Sequence, residues 1–434
     1  MVSNNSKTLP LDGLRVLDLT VVWAGPYATQ IFGDWGAEII RVESIKHFPS
    51  TTRGMVMRPT KEMVSQKGSL SAYPDRDPGK RPWNRTASFN AHARNKKSMT
   101  VDMTKPEGQK VFDDLLRISD AVIENNVPVS MDRINVNWER VSKINPKIVM
   151  LRMPGFGLDG PYENYRTFGS HMAGVVGHYS VMGYEGESPD MTGNTLTADA
   201  AGGAGAALAL AAGIRYRNHN DKGIFIEIAT AENFANYLGD RILDYTVNNR
   251  LASPVGNRDL SDAPQGVYRC KGEDRWIGIS VNSDTQWEAL CKVIGRNDLS
   301  KDPKYSTSSQ RHSLHDTIDQ LIESWSEGMD AQIAMKDLQS AGIPAGVVMN
   351  EEDAFSDPHL DEIGFWETLE GAETGKNAYT STLWKTALTD RSHKRAAPLL
   401  GEDNEYVYKE LLGFDEDKYA EFESTGHIGM DYDI

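Results

Sequence analysis

The chain has 434 residues, 39% hydrophobic and 25% charged, the composition of a globular protein with room for two domains. Its formal net charge of -16 argues against nucleic acid or an anionic membrane as the main partner, while leaving room for an anionic small ligand met by local cations. Two cysteines, Cys270 and Cys291, show no CxxC spacing, which argues against a disulfide framework or a cysteine zinc site and makes the cytoplasm the expected compartment.

Residues 1–10 carry no apolar targeting segment, and the longest apolar run, 200–214, is too short and too rich in glycine to span a bilayer. Residues 14–20 read as a strand and Ala24-Gly25-Pro26 as a turn, with Pro26 starting a helix to about residue 32. Gly33 and Gly36 end that helix, and residues 38–43 read as a second strand, so the chain opens with a βαβ unit. Glu43 at the strand end could hold a ribose, but Ala24-Gly25-Pro26-Tyr27-Ala28 is not the GxGxxG of dinucleotide folds. Residues 45–90 carry Pro49, Pro59, Pro74, Pro78 and Pro82; so long an irregular segment is usually functional or wraps a partner.

Alternation then resumes. Strands are predicted over 98–103, 121–124, 148–153 and 224–228, and helices over 106–118, 130–144 and 230–245. This pattern predicts an α/β fold: a parallel sheet covered on both faces, with ligands beyond the C-terminal strand ends. Arg94, Lys96 and Lys97 cluster before one strand, as a solvated surface patch or as a phosphate clamp. Asp199 heads a run of small residues to Ile214, where an Asp suits a helix N-cap and Arg215 and Arg217 suit its C-terminus. Gly202, Gly203 and Gly205 weaken that helix by about 1 kcal/mol each, which implies something lying close against it: another helix, or a ligand. Either a capped core helix or a nucleophile beside an open surface fits these residues.

Composition shifts near Asn248. Pro254, Gly256 and Pro264 mark a linker, strands around 268–270 and 276–281 follow, then helices near 284–294, 314–327 and 330–340. The predicted domains are 1–247, a large Rossmann-like domain; 248–348, a smaller α+β domain; and 349–434, a segment completing the first.

Five motifs follow one another along nearly the whole chain: Val16-Leu17-Asp18-Leu19-Thr20 with Ala24-Gly25-Pro26, Asn95-Lys96-Lys97-Ser98, Glu124-Asn125 through Asp132-Arg133, Gly155-Phe156-Gly157 with Gly160-Pro161-Tyr162, and Ala397-Pro398-Leu399-Leu400-Gly401-Glu402. In this order they resemble the motifs of the family III CoA-transferases. The resemblance implies Asp199 as catalytic nucleophile, attacking an acyl-CoA thioester to give a mixed anhydride and then an aspartyl-CoA thioester. It implies Ala24, Lys96, Asn125 and Arg133 as CoA contacts, with Lys97 a weaker candidate and Arg133 alternatively paired to Asp132 or Glu139. Gly202, Gly203 and Gly205 would let the pantetheine arm approach. No metal and no tightly bound cofactor are implied; coenzyme A enters as the thioester substrate, with a small or medium carboxylic acid as acceptor.

Two departures bear on specificity. Trp23 stands where oxalate-specific relatives carry Gln, and Gly256-Asn257-Arg258 through Ala263-Pro264-Gln265 replaces their glycine-rich flap. Racemases of the same superfamily use a His and an Asp as paired bases; Phe168 falls at that His position, and His171, three residues on, is a candidate to touch the acyl carboxylate. Alternatives are therefore an acyl-CoA racemase or isomerase, or a non-catalytic CoA-binding subunit. The resemblance also implies an interlocked dimer, either a homodimer or a heteromer with a paralogue.

Overall fold

A computed structural model describes residues 9–66, 68, 72–191, 193, 196–387, 389 and 393–434. By internal contacts the chain divides into two units. The first draws on residues 1–176, 194–242 and 364–434, and the second on 177–193 and 243–363.

The first unit is built on a six-stranded sheet in the order β3-β2-β1-β4-β5-β6, all parallel. The strands are β1 Arg15–Asp18, β2 Glu38–Glu43, β3 Lys96–Thr100, β4 Ala121–Glu124, β5 Val149–Arg152 and β6 Ile224–Glu227. Helices cover both faces, so inner strands are buried on both sides and carry short apolar runs such as Val16-Leu17, Ile39-Ile40, Ala121-Val122-Ile123 and Val149-Met150-Leu151. One face carries Leu17, Ile40, Val122 and Met150 against Phe112 and Leu115 of the Pro106–Arg117 helix. The other carries Val16, Ile39, Ile123 and Leu151 against the Ala24–Asp34 and Thr197–Asn220 helices.

The expected helix over 130–144 is two helices, Pro128–Arg133 and Trp138–Ile144. The break falls at Asn135, which has φ 54°, and Asn137 caps the second piece through its side chain. The expected 98–103 strand begins two residues earlier, at Lys96. The C-terminal return lies along the free edge of β3: Asp403 and Asn404 accept the N–H groups of Ser98 and Thr100 at 2.9 and 2.8 Å. Those bonds satisfy an edge that would otherwise be open.

The second unit holds an antiparallel sheet of β7 Gln265–Arg269, β8 Trp276–Ser280 and β9 Ala345–Val348. Ile277 and Ile279 pack on the Asp284–Val293, His315–Ser326 and Ala331–Ser340 helices. The loop standing for the absent flap is tied down: Arg311 Nε donates to Ala263 O at 2.8 Å and Gln265 N–H to His315 Nε2 at 3.1 Å.

Candidate active site

Asp199 is the third residue of the Thr197–Asn220 helix. Leu196, not Asp199, occupies the N-cap position, and its side chain makes no capping hydrogen bond. The expectation that Asp199 is the helix N-cap is therefore corrected. Only 8% of the residue is exposed, and burial raises its pKa from 3.8 to about 6, with a backbone hydrogen bond from Gly169 as the counterweight. Desolvation disfavours the charged form more than one N–H donor restores it.

The three helix glycines face protein. A β-carbon on Gly203 would stand 2.6 Å from Ala24 O, one on Gly202 2.6 Å from Thr230 Cγ2, and one on Gly205 2.6 Å from Asn233 Oδ1. They allow close approach of the Ala24–Asp34 helix and the Thr230–Ala235 helix, so the pantetheine role expected of them is not theirs. The glycine that does meet the carboxylate is Gly169, first residue of the Gly169–Val175 helix: its β-carbon would lie 2.0 Å from Asp199 Oδ2.

Asp199 lines a cleft of about 420 Å³ together with Ala24, Asn125, Arg133, Arg166 and Thr230. A second cleft of about 440 Å³ opens at the ends of β1, β2 and β3, lined among others by Thr20, Glu43, Val101 and Met131. The two share Val21, His47 and Asn126 as lining residues, so they are neighbouring parts of one surface. This is where a parallel sheet of this winding binds ligands. Glu43 is no free ribose partner there: Arg53 grips both its oxygens at 2.7 Å and holds its pKa near 2.

Four of the expected residues meet at the Asp199 cleft: Asp199, Ala24, Asn125 and Arg133. Arg133 is exposed and makes no ion pair among the described residues; Glu139 sits on the next helix and bonds Lys143 at 2.7 Å. Arg166 is likewise exposed and unpaired. Nothing local in the sequence singles out Arg166, one cation in a polar loop, or Gly169, one of 38 glycines.

Three expected residues lie elsewhere. Lys96 is fully buried, its Nζ donating to Asp18 Oδ2 at 3.2 Å, Pro26 O at 2.7 Å and Thr29 Oγ1 at 2.7 Å. It opens β3 beside Ile39 of β2, at the N-terminal side of the sheet, and is not part of the cleft. The rest of that basic run is also engaged internally: Arg94 pairs with Asp34 at 2.8 Å, and Lys97 lies 3.5 Å above the Tyr406 ring. Trp23 precedes the Ala24–Asp34 helix and meets His92 edge-on with ring centroids 5.2 Å apart. His171 is exposed, and its Nδ1 accepts the Phe168 N–H at 3.1 Å, closing a cap on its own helix. Neither Trp23 nor His171 lines the Asp199 cleft, whereas Phe168 does.

The sequence profile of CoA-transferase family III matches residues 11–404, and the chain belongs to that family. Among similar proteins, the succinyl-CoA–D-citramalate CoA-transferase of Chloroflexus aurantiacus is 27% identical over 420 residues, spanning 96% of this chain and 98% of its own. The succinyl-CoA–L-malate CoA-transferase beta subunit of the same organism is 25% identical over 425 residues, spanning 98% of this chain and 99% of its own. A CAIB/BAIF family protein from Brucella suis shares the fold with a TM-score of 0.78 at 24% identity, over 93% of this chain and 100% of that one. The protein is an enzyme of the CoA-transferase kind, with a CoA thioester as substrate.

Proposed function

We propose that this family III enzyme moves CoA between two carboxylic acids through covalent intermediates on Asp199. One Asp199 oxygen attacks the acyl-CoA carbonyl carbon, the C–S bond breaks, and CoA thiolate leaves an acyl–aspartyl anhydride. The thiolate attacks the aspartyl carbon, releasing the donor acid and forming an aspartyl-CoA thioester. An acceptor carboxylate attacks that thioester, and returning thiolate cleaves the new anhydride at the acceptor side, freeing Asp199. The observation that carries the reading is placement: a shielded carboxylate lines a cleft adjoining the strand-end cleft, so one extended thioester can lie along both.

Arg133 and Arg166 supply positive charge for CoA phosphates or a second carboxylate. Relatives named for succinyl-CoA with citramalate or malate make succinyl-CoA the first donor to test, and a short dicarboxylic acid the first acceptor. The racemase reading loses its second base, since His171 caps its helix outside the cleft and Phe168 stands inside it. Ala24, Asn125 and Arg133 remain our CoA contacts. Exposed Leu208, Tyr237 and Ile242 on the first unit suit burial in a dimer, either of two copies or with a paralogue. Free, buried Cys270 and Cys291 suit a reducing cytoplasm.

Intact-protein mass spectrometry after incubation with succinyl-CoA and a panel of other acyl-CoAs, quenched with hydroxylamine, tests the covalent route. The expected result is a hydroxamate on Asp199 with at least one donor. Proton exchange at the acyl α-carbon with no tag would replace this reading with the racemase; neither signal would point to a missing partner subunit.

A further inference from the structure

We propose that Gly169 is the positioning residue of Asp199, and that its missing β-carbon is what lets the carboxylate occupy its reactive place. This rests on the reading of Asp199 as the nucleophile. The observation itself is steric. A β-carbon at position 169 would lie 2.0 Å from Asp199 Oδ2, 2.9 Å from its Cγ and 3.5 Å from its backbone N. All three nearest atoms belong to Asp199, and the two that collide are its carboxylate Oδ2 and Cγ.

Neither partner has easy freedom to yield. Gly169 is buried at the start of a helix, and Asp199 is held in the first turn of a 24-residue helix that packs on the sheet. Nor is Gly169 required by its backbone conformation, because it is absent from the residues with positive φ. Alanine could adopt this helical position, and by propensity alone it would be favoured by about 1 kcal/mol. The glycine is thus explained by the carboxylate against it.

The effect on the reaction follows from geometry. The carboxylate of Asp199 lies directly against the Gly169 backbone, where a β-carbon would fall 2.0 Å from Oδ2 and 2.9 Å from Cγ. A β-carbon would therefore push the attacking oxygen out of its present position. Displacements of about 1 Å at a reacting centre cost up to 10²-fold in rate.

The test is a cycle of Gly169→Ala and Asp199→Ala with two readouts. Gly169→Ala is expected to lower kcat by about 10- to 100-fold and the rate of hydroxamate formation on Asp199 in parallel, with KM for the acyl-CoA nearly unchanged. In thermal unfolding it is expected to lower Tm when Asp199 is present and to leave Tm level or raised in the Asp199→Ala background, where the colliding atoms are gone. Wild-type kcat and labelling in Gly169→Ala would overturn the proposal. So would an equal Tm loss in both backgrounds, which would mean that the space belongs to another contact. If the thermal cycle shows the coupling while wild-type protein forms no hydroxamate with any donor and exchanges the acyl α-proton instead, the contact stands and the nucleophile assignment fails.

Discussion

Asn125 holds Val21 by both ends of its side-chain amide: Nδ2 donates to Val21 O at 2.8 Å and Oδ1 accepts the Val21 N–H at 2.7 Å. This double bond pattern ties the residue after β4 to the loop after β1. The next residue, Val22, has φ 64°, a conformation that β-branched side chains rarely adopt, and its N–H donates to Thr52 Oγ1 at 2.8 Å. Three side-chain bonds thus hold a strained loop against the cleft.

Asn125→Ala is expected to cost about 1–3 kcal/mol, because both Val21 groups lose their partners. It should raise KM for the acyl-CoA more than it lowers kcat, since Asn125, Val21 and Val22 line the cleft. Val22→Gly, which removes the strain, should leave Tm level or raised despite the lost methyl groups. Thermal unfolding with steady-state kinetics decides both; a clear Tm loss in Val22→Gly would remove strain from the account.

Asp199 should make stability and reactivity move in opposite directions with pH. Its pKa in the folded protein, about 6, lies above the ordinary 3.8 because burial penalises the charge. The protonated form therefore favours the fold. Its contribution is fully present below about pH 4 and is lost as pH rises through 6, a difference on the order of 3 kcal/mol. Asp199→Asn should be more stable than wild type at pH 8, with the gap closing toward pH 4. Attack needs the ionised form, so hydroxamate formation should rise with pH through about 6. Chemical denaturation across pH and labelling rates on the same samples check the two signs together; a gap that widens on acidification contradicts the burial argument.

The alternation of elements was legible because β1, β4 and β5 are buried on both faces and each carries a short apolar run, and because prolines mark the starts of the Pro106–Arg117 and Pro128–Arg133 helices between them. Lys96 was legible as a cation beside a strand, but its enclosure was not: Asp18, Pro26 and Thr29, which take its Nζ, come from segments about seventy residues earlier in the chain. The three glycines after Asp199 signalled close approach correctly, but not its partner, since Ala24 and Thr230 arrive from distant segments. Gly169 carried no signal at all: its reason is a carboxylate thirty residues away in the chain, visible only once both helices are placed.

The same sterics rank two helix glycines. Gly203 faces a backbone carbonyl, Ala24 O, which cannot turn aside; Gly205 faces the side-chain amide of Asn233, which can. Overpacking of about 1–3 kcal/mol should outweigh the gain in helix propensity for Gly203→Ala. For Gly205→Ala the two effects should nearly cancel. Activity should follow, because shifting Ala24 moves a wall of the cleft. Equal Tm values for the two variants would mean that the Ala24–Asp34 helix can back away freely.

The cations divide by what holds them, and this gives the sharpest contrast. Lys96 is enclosed, and burial brings its pKa down to about 8 even with Asp18 beside it. Lys96→Met would remove one of the two cations on Asp18, leaving Arg41 at 3.1 Å, and would leave Pro26 O and Thr29 Oγ1 without this donor. Leaving those buried groups unpaired costs about 1–3 kcal/mol, so the variant should unfold at lower temperature. Arg133 and Arg166 hold nothing in the described chain. Replacing either with Ala should change stability by less than about 0.5 kcal/mol while raising KM for the acyl-CoA and flattening its dependence on ionic strength. Melting curves and KM at two salt concentrations separate the classes. A Lys96→Met protein with wild-type Tm and a raised KM would return that lysine to the CoA contacts and require a rearranged β3 edge.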